Sequence, residues 1–433
     1  MAKSKRVSLT KTQTVSLTKS LTKTLMKSMN KTLGAWVCLA LGCALAGGLA
    51  RAEEKKVDGT EPALLQGLAR CTPEEQAAGA LLLLDGKTFF GWRAEPVQFN
   101  GRMRVGTPRP LIAMRGGQTR IVTQVPIKIT TELLLQRPWK IELTYHTEEE
   151  TTASVEVHDH SNMYIKRFAS ALENSSEPKT LVITAEGEGG GPIAFDGQLV
   201  DESGTIKENG RTALRIIVRG GTLVIDRLVM YPGWRTILDS SLAGWTARGE
   251  TTAEPVQEPG AAVRLCGGKG FLESSEEFDD FYLSLTFKEN ASPNNSGLFF
   301  RTIPQSEMNG YEAQMNNTPP QEDRGKFLGN DTGSIFRLSP ARRLIDDPRG
   351  WNRLTVMAQA DLMRTWVNGV PALIWSDDRA ADENPRKGRR FKRGTIQIQG
   401  TTRRPICCWG RFRCSTEETN RRCRKPIKTK YKK

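Results

Sequence analysis

The chain has 433 residues, enough for two ordinary domains, with 63 Lys plus Arg against 48 Asp plus Glu. Its formal net charge of +15 would point to nucleic acid or an acidic surface, but the excess sits at the ends. Residues 1–52 hold nine basic residues and no acid, and residues 401–433 hold twelve basic residues and two acids. Residues 53–400 therefore carry −4, so no nucleic-acid partner is expected for the folded body.

Residues 1–52 read as a secretory signal peptide. Lys3, Lys5 and Arg6 open a basic region that continues to Lys31, an apolar run follows from Leu33 to Leu49, and Ala50-Arg51-Ala52 supplies a small-x-small cleavage site before Glu53-Glu54. The run is short and diluted by Gly and Ala, so it is not a membrane anchor, and no transmembrane segment is expected once it is removed. The basic part is long and repeats Ser-Leu-Thr-Lys, which suggests a true start at Met29. Cys43 follows Ala40-Leu41-Gly42 in lipoprotein fashion, but the apolar run continues past it. The mature chain is expected to begin at Glu53 and to be secreted or periplasmic.

The cysteines thin out in the same way. Cys38 and Cys43 belong to the signal, and Cys407, Cys408, Cys414 and Cys423 lie in the basic tail. Cys71 and Cys266 remain in the body; an oxidising compartment would let them pair, though their spacing does not require it, and both are read as structural.

Residues 53–79 form an N-terminal linker or a short helix from Pro62 to Ala78, interrupted at Pro73. A repeat then divides the body. Leu82-Leu83-Leu84-Asp85-Gly86-Lys87, Gly91-Trp92 and Glu95-Pro96-Val97-Gln98 echo Thr236-Ile237-Leu238-Asp239-Ser240-Ser241, Gly244-Trp245 and Glu254-Pro255-Val256-Gln257. Tyr231-Pro232-Gly233 marks the boundary, giving domains at 80–233 and 234–400. Leu283, Leu285 and Phe287 alternate with Ser284 and Thr286, Leu354, Val356 and Ala358 alternate with Thr355 and Met357, and Ile396 and Ile398 repeat the pattern. Leu223-Val224-Ile225 is a short apolar run. Period-two alternation is the mark of half-buried antiparallel strands. Turns are expected at 294–297, Asn309-Gly310, Asp331-Thr332-Gly333 and Asn368-Gly369. Many short strands with regular turns predict jelly-roll sandwiches.

In the second half an ordered set of segments becomes recognisable. Leu238-Asp239 and Gly244-Trp245 are followed by Asn295-Ser296-Gly297-Leu298-Phe299-Phe300-Arg301, then Gly310-Tyr311-Glu312-Ala313-Gln314-Met315 and Thr332-Gly333-Ser334-Ile335-Phe336. Trp351-Asn352, Trp366-Val367-Asn368-Gly369 and Gly394-Thr395-Ile396-Gln397-Ile398-Gln399 complete it. Over about residues 236–400 this string resembles the 3-keto-disaccharide hydrolase domain family, which has a concanavalin-like jelly roll. The first half shares only Asp85-Gly86-Lys87 and Gly91-Trp92, so the fold is extended to it and the activity is not. The expected fold class is all-β: two concanavalin-like jelly-roll β-sandwich domains in tandem.

The resemblance implies hydrolysis or elimination of 3-keto-glycosides. A ketone at C3 acidifies the C2 proton, so a base can remove it and expel the glycosidic oxygen from C1, with a cation beside the developing enolate. Glu312 and Gln314, two apart on a strand, share a face. The catalytic candidates are Glu312 as base and Arg301 as cation, with Asn295, Gln314 and Trp366 as substrate-binding candidates. The structural alternatives are a Glu312–Arg301 cross-strand ion pair and a Trp366 that belongs to the core. Where family members carry an Asp after the Glu-x-Gln pair, Asn316-Asn317 stand here. That favours the alternative of a non-catalytic carbohydrate-binding sandwich or a cell-envelope interaction protein. The expected partner is an oxidised glycoside.

Glu156, His158 and His160 fall at period two in the first half and would share a strand face. They supply no fourth ligand, so no metal or other cofactor is expected there or in the second half. Gly189–Gly191 and Gly220-Gly221 lack a following Lys-Ser/Thr and read as hairpin turns. Residues 401–433 hold four cysteines and no strand pattern. With suitable synonymous codons, one nucleotide inserted after codon 400 turns Gly-Thr-Thr-Arg-Arg-Pro-Ile-Cys-Cys into Gly-His-Asp-Pro-Thr-Thr-Asp-Leu-Leu, the turn and strand the family has there. We read this Cys-rich segment as frameshifted; the rival is a genuine basic tail for an anionic surface.

Overall fold

The computed structural model describes residues 65–416 apart from 98–109, 134, 160–166, 187–191, 201–210, 257–262, 290–293, 318–329, 349, 401–405 and 408–411. The signal segment, His160, Gly189–Gly191 and residues 417–433 lie outside the described residues.

A short helix, α1 (Pro73–Ala78), precedes the sheets. The Glu75 amide donates to Thr72 Oγ1 and the Thr72 amide donates to Glu75 Oε2, closing a capping box. Pro73 occupies the first turn, where its missing N–H has no partner to lose, and Gly79 ends the helix at φ 81°. Pro73 therefore starts a helix here instead of interrupting one.

The first half contains β1 (Leu81–Leu82), β2 (Trp92–Pro96), β3 (Leu111–Arg115), β4 (Gln118–Thr123), β5 (Ile127–Thr131), β6 (Leu135–Gln136), β7 (Trp139–Thr147), β8 (Thr152–Asp159), β9 (Arg167–Leu172), β10 (Lys179–Ala185), β11 (Ile193–Phe195), β12 (Gln198–Leu199) and β13 (Arg211–Pro232). The long β13 serves both layers. Its first part pairs with β5, β6 and β8, giving a layer in the order β2–β5–β13–β8–β9. Its second part pairs with β4 and β7, giving β12–β11–β10–β7–β13–β4–β3. Gly221 sits between the two parts at φ 93°, where a Cβ would fall 2.5 Å from Thr151 Oγ1 and 2.6 Å from the Glu150 carbonyl oxygen. Alternate residues of β7 (Trp139, Ile141, Leu143, Tyr145) enter the core, where Val155, Leu214 and Ile216 meet them from the other layer.

The second half contains β14 (Arg235–Leu238), β15 (Trp245–Pro255), β16 (Val263–Phe278), β17 (Phe281–Glu289), β18 (Asn295–Thr302), β19 (Tyr311–Asn316), β20 (Asn352–Gln359), β21 (Leu362–Val367), β22 (Val370–Ser376), β23 (Gly394–Gly400), β24 (Ile406–Cys407) and β25 (Phe412–Thr416). One layer runs β15–β16–β23–β18–β19 and the other β14–β25–β17–β20–β21–β22. Leu283, Leu285, Phe287, Leu354, Val356, Ile396 and Ile398 are buried between them, as their alternation predicts. Asn368 and Gly369 form the two-residue β21–β22 hairpin at φ 52° and 80°. Residues 295–297 belong to β18 and do not form the expected turn. The tail also differs from expectation: β25 lies between β14 and β17, with Phe412 buried and its ring 5.5 Å from that of Trp245.

The two copies of the repeat make the same local structure. Asp85 Oδ1 accepts the amides of Lys87 and Thr88, and Asp239 Oδ1 accepts the amide and hydroxyl of Ser241. The indole of Trp92 donates to the Leu83 carbonyl, and that of Trp245 to the Ile237 carbonyl, two residues before each Asp. The halves also share a core. Tyr282, Met357 and Trp366 of the second half pack with Leu81, Leu83 and Trp92 of the first, and Arg343 Nη1 reaches Asp85 Oδ2 at 2.7 Å.

Candidate functional site

Strand β19 splits its residues by face. Tyr311, Ala313 and Met315 enter the second core, so Glu312, Gln314 and Asn316 project from the opposite side of the sheet. Glu312 pairs in register with Phe299 of β18, and Gln314 with Gly297. Gln397 on β23 and Glu273 on β16 extend the same row across the layer.

Glu312 is buried, 5% exposed. Arg386 Nη2 donates to its Oε2 at 2.8 Å. Among the described residues, Oε1 has no hydrogen-bond donor. Gly297 makes the room, since a Cβ there would lie 2.5 Å from that oxygen. Burial raises the carboxyl pKa above its ordinary value, and the nearby Arg386 and Arg337 oppose that shift without cancelling it. The Arg386 guanidinium lies 5.1 Å from the centroid of Phe299 and 5.4 Å from that of Phe336, so two rings hold the cation against the carboxylate.

Gln314 Nε2 donates to Asn295 Oδ1 and, at 3.1 Å, to the Ser296 carbonyl. Its Oε1 is buried with no donor. Asn295 is exposed at the strand end. Glu312, Gln314 and Asn295 thus share one face, as the spacing implies. Glu273 differs from Glu312 although it lies in the same layer. It accepts from the Gln305 amide, Thr395, Gln397 and Arg248, and these bonds outweigh burial and hold its carboxyl below the usual range. Glu273 is a fully engaged structural anion.

Two expectations are corrected. Arg301 is fully buried; it pairs with Asp280 at 2.9 Å and donates to the carbonyls of Asp279, Ala360 and Arg390. It holds loops together and makes no ion pair with Glu312. Trp366 is also fully buried, with its indole donating to the Leu82 carbonyl at 3.1 Å, so it seals the junction of the halves and offers no ring face to a sugar. The cation that does face Glu312, Arg386, lies 74 residues away in an irregular basic stretch, and no local pattern marks it. Asn316 and Asn317 serve as clamps: Asn316 Nδ2 donates to the Asn330 carbonyl, and Asn317 Oδ1 accepts the Asn294 amide.

No cluster of three or more metal-ligating side chains occurs among the described residues. Glu156 and His158 share a face of β8, as expected, and hydrogen-bond each other at 2.7 Å. Cys71 is buried and free, with burial raising its thiol pKa to about 11, and Cys266 is also free. No helix among the described residues is long and apolar enough to cross a membrane.

These features define a tandem β-sandwich protein with a buried acid–cation pair on one sheet face. Within it, residues 233–411 match the model of the 3-keto-alpha-glucoside-1,2-lyase-like domain family. Among solved structures, a putative glycosyl hydrolase from Parabacteroides distasonis is similar at 15% identity and a TM-score of 0.36, over 42% of this chain and 99% of its own. The carbohydrate-binding module CBM66 from Bacillus subtilis is similar at 15% identity and 0.30, over 40% and 96%. A Bacillus subtilis protein with a galectin-like fold is similar at 14% identity and 0.31, over 42% and 98%. No curated protein matches the chain at a significant level.

Proposed function

We propose that the second sandwich cleaves 3-keto-glycosides, with Glu312 as the base that removes the proton from C2 and Arg386 as the cation beside it. The observation that carries this reading is the Glu312 carboxylate itself: buried, with one oxygen held by Arg386 and the other without a donor among the described residues. A raised pKa makes the carboxylate a stronger base once ionised, and Arg386 is close enough to lower the cost of charge near the reacting carbons. The unpartnered Gln314 Oε1 and the exposed Asn295 would accept and donate hydrogen bonds to sugar hydroxyls. The family match over residues 233–411 supports the substrate class. Export through the signal segment would place the protein outside the cytoplasm.

A second reading, a carbohydrate-binding module without turnover, is favoured by one observation. Asn316 and Asn317 stand where the family has an acid, and both are committed to loop contacts. Incubation with a 3-keto-glucoside separates the two. Turnover is expected to fall about 100-fold or more in Glu312→Gln. Unchanged turnover in the variant removes Glu312 as base, and binding without turnover by the unaltered protein establishes the module.

A further inference from the structure

The outer face of the first sandwich has chemistry of its own. In the layer β2–β5–β13–β8–β9, Leu214, Ile216 and Val218 of β13 point into the core, leaving Arg215, Ile217 and Arg219 on the other side. Glu156 of β8 lies opposite Arg215, Ser154 opposite Ile217, and Lys128 of β5 opposite Ile217 from the other flank. Arg167 of β9 closes the edge opposite His158. These residues line a cavity of about 640 Å³, within the range of small-molecule sites, roughly 300–1,000 Å³.

Its electrostatics are unusual for this chain. Lys128, Arg167, Arg215 and Arg219 face Glu95 and Glu156, a local surplus of two positive charges in a body that is otherwise acidic. Two cations are held back by their neighbours: Lys128 pairs with Glu95 at 3.0 Å, and Arg215 donates to Thr130. Arg219 is exposed and touches only Ser154, and Arg167 is 58% exposed. At the floor, Glu156 is 1% exposed. Its Oε2 accepts from or donates to His158, while its Oε1 is buried without a hydrogen-bond partner, 3.5 Å from Arg167.

The two halves of this chemistry select different groups of one ligand. Guanidinium forks match carboxylate or sulfate oxygens. A buried carboxylate oxygen repels an anion but accepts a hydroxyl proton. A ligand that satisfies both carries an anionic group and neighbouring hydroxyls, and Ile217 between the two arginines suits the apolar face of a sugar ring. No aromatic side chain lines the cavity to stack a base. The geometry points to a second ligand site, on the first sandwich, that binds an acidic saccharide through Arg219, Arg167 and Glu156.

The test uses the full mature chain and calorimetric titration with trigalacturonate, a sulfated trisaccharide, neutral galactotriose and inorganic phosphate. Binding of the uronate or the sulfated sugar is expected, weakening as salt rises, and the stronger of the two identifies the anion. Arg219→Ala and Arg167→Ala, whose side chains have little structural duty, should each weaken it about tenfold at an unchanged melting temperature. Equal affinity for galactotriose, equal affinity for phosphate, binding of none of the probes, or no effect of either variant overturns the assignment.

Discussion

Two carboxylates in the second half show how burial alone sets different behaviour. Glu312 is buried beside a cation, whereas Glu289, 9% exposed at the end of β17, faces the Asp346 carboxyl. Burial, then Asp346, push the Glu289 pKa from 4.5 up to about 8. Below pH 4.5 the group is protonated in both folded and unfolded chains and contributes nothing to pH dependence. Between 4.5 and about 8 the unfolded chain ionises first, so stability falls as pH rises, by an amount of order 3 kcal/mol, and levels off above 8. Melting temperatures across that window should decline, and Glu289→Gln should flatten the decline. An unaltered slope in the variant would assign it to another group.

At the scale of elements, the β18–β19 pair decides whether Glu312 has a place at all. Gly297→Ala would put a methyl group 2.5 Å from Glu312 Oε1 and 2.6 Å from its Cγ, so the side chain must leave its position. We expect turnover to drop at least about tenfold with a stability loss of about 1–3 kcal/mol, read from kcat/KM and thermal melts. Wild-type kinetics in this variant would show that Glu312 need not sit there. The tail poses a related question. β25 supplies the hydrogen-bonding partner of both β14 and β17, so whichever reading frame is used, a strand has to fill that slot. We propose that the shifted frame is the functional one. Resequencing decides the frame, and deletion of residues 401–433 should sharply lower the melting temperature by opening the β17 edge and releasing β14. A deletion with an unchanged melting temperature would show that the slot is dispensable.

At the scale of the whole molecule, the halves depend on each other. Trp366, Tyr282 and Met357 lie on the outer side of the β17–β20–β21 layer and are buried only because the first half covers them. The buried Arg353 takes carbonyl partners from Gln76 and Ala80, before the first sandwich proper. The second half expressed alone should therefore expose an apolar patch and aggregate or bind a hydrophobic dye. A monomeric fragment that melts cooperatively at the temperature of the full chain would refute this.

The sequence by itself determined what depends on local pattern. The strands at Leu283–Phe287 and Leu354–Ala358, the Asn368-Gly369 hairpin and the shared face of Glu312 and Gln314 follow from a period of two and from turn chemistry, which act between neighbours in the chain. The Asp and Trp of each repeat copy were legible for the same reason, since their bonds span nine residues or fewer. Only the tertiary structure decided which cation faces the acid and which Trp is free for a ligand. Arg301 and Trp366 had suitable chemistry, but a positively charged fork is drawn to whichever carbonyls and carboxylates the fold brings near it, and a large ring to whichever surface the other half covers. Arg386 reached Glu312 across 74 residues, a contact set by sheet packing and written in no local pattern.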